Sequence, residues 1–188
     1  MRLVTFVSGL ILAFGTVASA QEHATTPVAE VGVNYSYTRI NPGGNTPSFN
    51  QNGGSAYVEY NINRVVGVVA DLGAYHNGPV NGINDNTTFS YLFGPRFNWR
   101  MSRVTPYVQT LVGGARLSSF ANPLANSENV FATALGGGLD VQLTKHIAVK
   151  PVQVEYFMMQ LPSGATNLNY AQNNLRYSAG VVFRFGEK

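Results

Sequence analysis

Three features predict an all-β chain, an eight-stranded antiparallel up-and-down transmembrane β-barrel. Eight stretches alternate apolar and polar residues, the connections alternate long and short, and no segment reads as a credible helix. Composition points the same way. Only 11% of the residues are charged and 12% are aromatic, whereas a soluble domain carries roughly 25% charged residues. A helical membrane protein is excluded, because the one continuous apolar run is at the N-terminus.

That run, MRLVTFVSGLILAFGTVASA, has one cation (Arg2), a short apolar region and an Ala18-Ser19-Ala20 ending. It reads as a secretory signal peptide with an A-x-A cleavage site, so a mature chain is expected from Gln21. The expected organisation is a signal peptide over 1–20 and an outer-membrane barrel domain over 21–188. The chain has no cysteine, so neither a disulfide nor a thiolate metal site contributes. The formal charge of +3 is small and dispersed, which argues against nucleic acid.

The alternating stretches are 28–40, 55–63, 65–75, 87–99, 104–117, 129–143, 146–159 and 175–186. Most have the length a tilted strand needs to cross a bilayer. In the first, Val31, Val33, Tyr35 and Tyr37 oppose Glu30, Gly32, Asn34 and Ser36. The second carries Glu59 on its polar face. The third sets Val66, Val68, Ala70 and Leu72 against Gly67, Asp71 and Gly73. The fourth is the cleanest: Phe89, Tyr91, Phe93, Pro95 and Phe97 against Ser90, Leu92, Gly94, Arg96 and Asn98. The fifth is ambiguous, and its faces stay unassigned. The sixth puts Leu135, Leu139 and Val141 opposite Gly136, Gly138 and Asp140. The seventh loses phase near Pro151, where a β-bulge tolerates proline. The eighth, LRYSAGVVFRFG, alternates an apolar and aromatic face with one that carries Arg176 and Arg184.

Long polar segments follow the odd-numbered stretches: NPGGNTPSFNQNGG, HNGPVNGINDN, SSFANPLANSE and LPSGATNLNYAQNN. Their Asn, Gly, Pro and Ser content is loop chemistry. Tight turns follow the even-numbered stretches, near Asn63-Arg64, at 100–103 and near Thr144-Lys145. With an even strand number, both termini fall at the short-turn, periplasmic end.

Two closed barrels compete for these faces. A soluble lipocalin-like barrel needs long charged residues on its polar face. Here that face is mostly Gly, Ser, Asn, Thr and Ala, which suits a narrow lumen. The bulky apolar face therefore looks at lipid. The lumen then holds Glu30, Glu59, Asp71, Asp140 and Glu155 with Arg96, Lys150, Arg176 and Arg184. Buried charges need partners, so an ion-pair ladder is expected. It serves either as a plug that fills volume and fixes register or as a gate on a thin ion path; the plug is the simpler reading.

GGGLDVQL (136–143), KPVQVEY (150–156) and the terminal NLRYSAGVVFRFG resemble the OmpA-type superfamily of eight-stranded outer-membrane barrels, closest to its porin-family or outer membrane protein β-barrel domain members. The resemblance covers essentially all of the mature chain. It implies that the last strand is the signal read by the barrel-assembly machinery, through Tyr177, Val181, Phe183 and Phe185. The chain departs from the pattern by running on to Gly186-Glu187-Lys188. A full-length OmpA-type protein continues into a peptidoglycan-binding domain, so tethering to the cell wall is not expected here.

Enzymatic outer-membrane barrels place a nucleophile, a histidine and an acid together. His23, His76 and His146 share no strand face with a serine, and His76 with Asp85 is better read as solvated loop chemistry. Gly136-Gly137-Gly138 is no phosphate loop, since no helix follows. Asp85 and Glu128 are too sparse for a calcium site. Neither a cofactor nor a metal is expected. Arg64, Arg100, Arg103 and Lys145 are read as rim cations. Three function classes follow: a structural, surface-display barrel acting through four extracellular loops; a narrow ion channel or porin-like pore; and, last, a membrane enzyme. The expected partners are outer-membrane lipid and lipopolysaccharide, the barrel-assembly machinery and periplasmic chaperones. A monomer is expected because closure removes sheet edges.

Overall fold

The computed structural model describes residues 26–41, 48–78, 86–119, 128–162 and 169–188. The expected signal peptide and His23 lie outside them. Eight strands form in order: β1 (Ala29–Ile40), β2 (Phe49–Asn61), β3 (Val66–Asn77), β4 (Asn86–Asn98), β5 (Val104–Ser119), β6 (Glu128–Gln142), β7 (Ile147–Pro162) and β8 (Asn169–Phe185). Each pairs antiparallel with the next. β1 closes on β8 in a register that runs from Ala29 opposite Phe185 to Arg39 opposite Leu175. The result is a closed barrel without an edge strand, the fold class read from the sequence.

Alternation sets the two faces. Leu72 is 65% and Phe93 59% exposed, whereas Arg96 and Arg176 are 1% exposed. Bulky apolar residues cover the outside and charged ones are enclosed, the inverse of a soluble protein. Aromatics mark two outer belts. Tyr60, Phe97, Trp99, Phe183 and Phe185 lie at the short-turn end; Tyr35, Tyr37, Phe89, Tyr91 and Tyr177 lie toward the other. β5, left open above, turns Tyr107, Gln109 and Leu111 inward and Val108, Thr110 and Val112 outward.

The short turns are closed by side-chain oxygens. Asn63 Oδ1 accepts from the amides of Val65 and Val66, each at 2.8 Å. Thr144 Oγ1 accepts from His146 N at 3.3 Å and Ile147 N at 3.1 Å. Such local bonds replace ladder bonds where a chain reverses. The bulge at Pro151 is present: register shifts between Lys150 and Gln153 against β8 and between Leu139 and Val141 against β6. It turns both Lys150 and Gln153 inward.

Two boundaries need correction. β2 starts at Phe49 rather than 55, and β8 at Asn169 rather than 175. Segments 49–54 and 169–174 are rich in Asn and Gln, which by composition is loop chemistry. They pair instead, with Gln51 opposite Thr38 and Ala171 opposite Gln160. Tyr35 Oη donates to Asn52 Oδ1 at 3.2 Å and Arg39 Nη1 to Asn50 Oδ1 at 2.8 Å. Cross-strand polar pairs carry these strands beyond the apolar belt, where turn-prone residues meet an already formed ladder.

Inside, tyrosines lie across glycines. A Cβ on Gly32 would fall on the Tyr57 ring, and one on Gly138 would meet the Tyr107 hydroxyl. Gly32→Val is therefore expected to lower the urea midpoint of the lipid-refolded barrel by the equivalent of about 1–3 kcal/mol. Adding Tyr57→Ala should recover part of that loss. Heat-dependent gel mobility checks that both variants close.

Candidate functional site

The nine charged residues assigned to the lumen all point inward, and all are at most 5% exposed. They form tiers. At the turn end, Glu30 accepts from Arg100 Nη2 at 2.6 Å, from Arg184 Nε at 3.2 Å and from Asn61 Nδ2 at 3.2 Å. In the middle, Glu59 takes Arg96 Nη1 at 2.8 Å and Asn98 Nδ2 at 2.6 Å. Above it, Glu155 takes Arg176 Nη2 at 2.7 Å, and the same guanidinium stands 3.7 Å from Asp71.

Two amides join the upper tiers. Gln109 accepts from Arg96 Nε at 2.8 Å and donates to Glu155 at 2.7 Å. Gln153 accepts from Lys150 Nζ at 2.9 Å and Tyr107 Oη at 2.6 Å, and donates to Glu155 at 2.8 Å. Arg176 Nη1 donates to Tyr75 Oη at 2.6 Å. A continuous network thus runs from Asn98 to Tyr75.

Aromatic faces supply the rest. The Arg96 guanidinium lies 4.6 Å from the Tyr57 ring and 4.3 Å from Tyr107; Lys150 Nζ lies 4.1 and 5.1 Å from the same rings. Both cations are therefore held between two π faces, which compensates lost hydration. Asp140 is buried beside them, and its Oδ1 has no hydrogen-bond partner among the described residues.

Toward the loop end the lumen changes character. Leu111, Ala115, Val130, Ala132, Phe157 and Met159 pack into one apolar sector on β5 to β7. The facing wall on β8 and β1 is polar, with Ser36 and Ser178 hydroxyls 2.8 Å apart.

One reading needs correction. Arg100 is not a rim cation: it is 8% exposed, bound to Glu30 and also to Asn61 Oδ1 at 2.8 Å. It lies just past β4 and keeps the inward parity of Arg96 and Asn98, with Trp99 between them exposed. Arg103 and Lys145 are exposed in the turns, and Arg64 reaches the Arg100 carbonyl at 3.4 Å. Gln109 and Gln153 were also missed. The first sits on the strand whose faces stayed unassigned, and the bulge hid the phase of the second. Inward parity with Glu155 is the one signal that marked Gln153.

The catalytic candidates do not converge. His76 is exposed on the outer face of β3, 3.1 Å from Thr87 Oγ1, and His146 is exposed in the β6–β7 turn. Asp85 lies outside the described residues, and Glu128 opens β6. Gly136, Gly137 and Gly138 are strand residues. Among the described residues, no group of three or more His, Asp or Glu is placed to hold a metal ion.

Residues 9–185 match the family described as outer membrane protein beta-barrel domain. The chain belongs to that family. It is an integral β-barrel protein of the bacterial outer membrane. No curated protein matches the chain. Solved structures share the fold. Neisserial surface protein A is 14% identical with a TM-score of 0.69, over 87% of this chain and 100% of that one. Ail, the attachment invasion locus protein of Yersinia pestis, is 20% identical with a TM-score of 0.56, over 84% and 97%. The N-terminal barrel domain of Pseudomonas aeruginosa OprF is 13% identical with a TM-score of 0.56, over 86% and 100%.

Removing one partner of a buried pair strands the other. Glu59→Gln is expected to destabilise this outer-membrane barrel by about 3–5 kcal/mol. Glu59→Gln with Arg96→Gln should cost less than the single change, as urea unfolding from vesicles would record.

Proposed function

We propose that this family member is a structural and surface-display barrel: the lumen is a plug, and the four extracellular loops meet other molecules. One observation carries the reading. The network from Asn98 through Glu59, Arg96, Gln109, Glu155 and Arg176 to Tyr75 crosses the lumen without a break, with Tyr57 and Tyr107 packed against its cations. Interlocked groups of this kind resist an ion that would have to displace them. The nine lumenal charges are assigned to this plug. The apolar sector around Leu111 and Phe157 supports it from the loop side. The scattered histidines favour a non-catalytic role. The fold neighbour Ail has been crystallised with the heparin analogue sucrose octasulfate, an instance of this architecture meeting a soluble ligand.

The partners assigned are outer-membrane lipid and lipopolysaccharide around the aromatic belts, and the barrel-assembly machinery and periplasmic chaperones during delivery. The protein acts as a monomer, since β1 and β8 leave no open edge. Tyr177, Val181, Phe183 and Phe185, all on the outer face of β8, form the assembly signal. Phe185→Ala is expected to slow insertion by reconstituted assembly machinery while spontaneous refolding in detergent keeps its rate. Equal slowing of both would remove the signal role.

A narrow pore is the second reading, and Asp140 Oδ1 favours it, because a buried carboxylate oxygen without a hydrogen-bond donor leaves room for a cation to serve it. Planar-bilayer conductance of the refolded mature chain separates the two. A plugged barrel stays silent, and Glu59→Ala with Arg96→Ala introduces current. Steady, salt-dependent steps from the unaltered chain would replace the display reading with the channel.

A further inference from the structure

We propose that the turn-end mouth of the barrel carries a binding site for a phosphate group. A pocket of about 130 Å³ lies there, between the β6–β7 turn and the chain just beyond β8. Gln142, Lys145, His146, Arg184 and Glu187 line it. Three of these five bear nitrogen donors of the kind that grip an oxyanion, a guanidinium, an ammonium and an imidazole.

Arg184 makes this more than a rim of cations. Its side chain is 6% exposed, yet it is only partly satisfied. Glu30 serves two arginines, and the shorter contact, 2.6 Å, goes to Arg100; Arg184 has the longer one, 3.2 Å. Arg184 Nη1 donates to Gln142 Oε1 at 3.1 Å. Arg184 Nη2 has no hydrogen-bond partner among the described residues. An enclosed guanidinium nitrogen without an acceptor is costly, and because Arg184 lines the pocket, an oxyanion seated there is the acceptor assigned to it. Gln142 accepts through its oxygen, so its amide nitrogen remains a donor for the same ligand.

Glu187 is the one acid among the lining residues, and it is exposed. It competes with the ligand for the same cations, so its charge sets the affinity. Carboxylates prefer guanidinium too, but a phosphate presents more acceptor oxygens to donors arriving from several directions. Two sources offer this chemistry at a periplasmic mouth: free phosphate and the headgroup of an inner-leaflet phospholipid.

The site is separable from the fold. The β6–β7 turn is held by Thr144 Oγ1 and by backbone bonds from Leu143 N and Thr144 N to Ile147 O, both 3.0 Å. The side chains of Lys145 and His146 are not part of that scaffold. The test uses the full mature chain refolded in octyl glucoside, which has no phosphate, with heat-shifted gel mobility confirming closure of each variant. Inorganic phosphate is titrated while the side-chain nitrogen signals of Arg184 and His146 are followed by NMR. Saturable shifts of both are expected. Lys145→Ala with His146→Ala should weaken binding by about tenfold or more, the scale of a lost charge-assisted bond. Glu187→Gln should tighten it.

Dihexanoyl phosphatidylglycerol then identifies the source. Competition for the same shifts at lower concentration than phosphate assigns a lipid headgroup, and shifts with inorganic phosphate alone assign the free ion. Shifts that fail to saturate, that chloride reproduces at equal ionic strength, or that persist unchanged in the double variant would overturn the site.

Discussion

A strand inside a bilayer has no water to satisfy its amides and carbonyls, so the pairing of β1 with β8 decides everything else here. That ladder, from Ala29–Phe185 to Arg39–Leu175, removes the last open edge. Closure with eight strands makes the lumen narrow. The chain then has two surfaces with opposite requirements. The outside offers lipid the side chains of Val33, Leu72, Phe93 and Leu135. The inside has to fill a thin space without leaving charges alone.

Glycine and tyrosine solve the inner problem together. Tyr57 occupies the space over Gly32 and Tyr107 that over Gly138. Those rings then hold Arg96 and Lys150, whose charges would otherwise face low-dielectric surroundings. Glu59 pairs with Arg96 and Glu155 with Arg176, and Gln109 and Gln153 connect the tiers. Some pairs join neighbouring strands, as Glu155 and Arg176 do directly opposite each other on β7 and β8, and others tie the wall across its own lumen. Glu59 and Arg96 join β2 to β4, and Asp71 and Arg176 join β3 to β8. Volume, charge and register are thus met by the same side chains.

The candidate site was legible wherever alternation carried through. Glu30, Asp71, Arg96 and Arg176 sit within strands of regular period, and parity alone turned them inward. Arg100 keeps the inward parity of Arg96 and Asn98, but it lies beyond the last residue of β4 and reads as part of the turn until Glu30 is seen to receive it. Gln153 was hidden by the extra residue at Pro151, which resets parity in the middle of β7. On β5 the lumen itself is apolar at Leu111, so the contrast that reveals a face was missing. The early starts of β2 and β8 escaped notice for a different reason. Asn and Gln favour loops in isolation but become strand when a partner's ladder is already extended beside them.

The amino-acid sequence by itself determined the number of strands, their order, the short-turn end and the inner and outer faces of most of them. Those properties are local: period two, turn-forming residues and the mean character of each face suffice. Only the tertiary structure decided which guanidinium meets which carboxylate, that Glu30 is shared by Arg100 and Arg184, and that Lys150 rests between tyrosines with Asp140 buried nearby. Those contacts join residues far apart in the chain, such as Glu30 and Arg184. Their distances are set by the stagger at which the barrel closes, and no local pattern encodes that stagger.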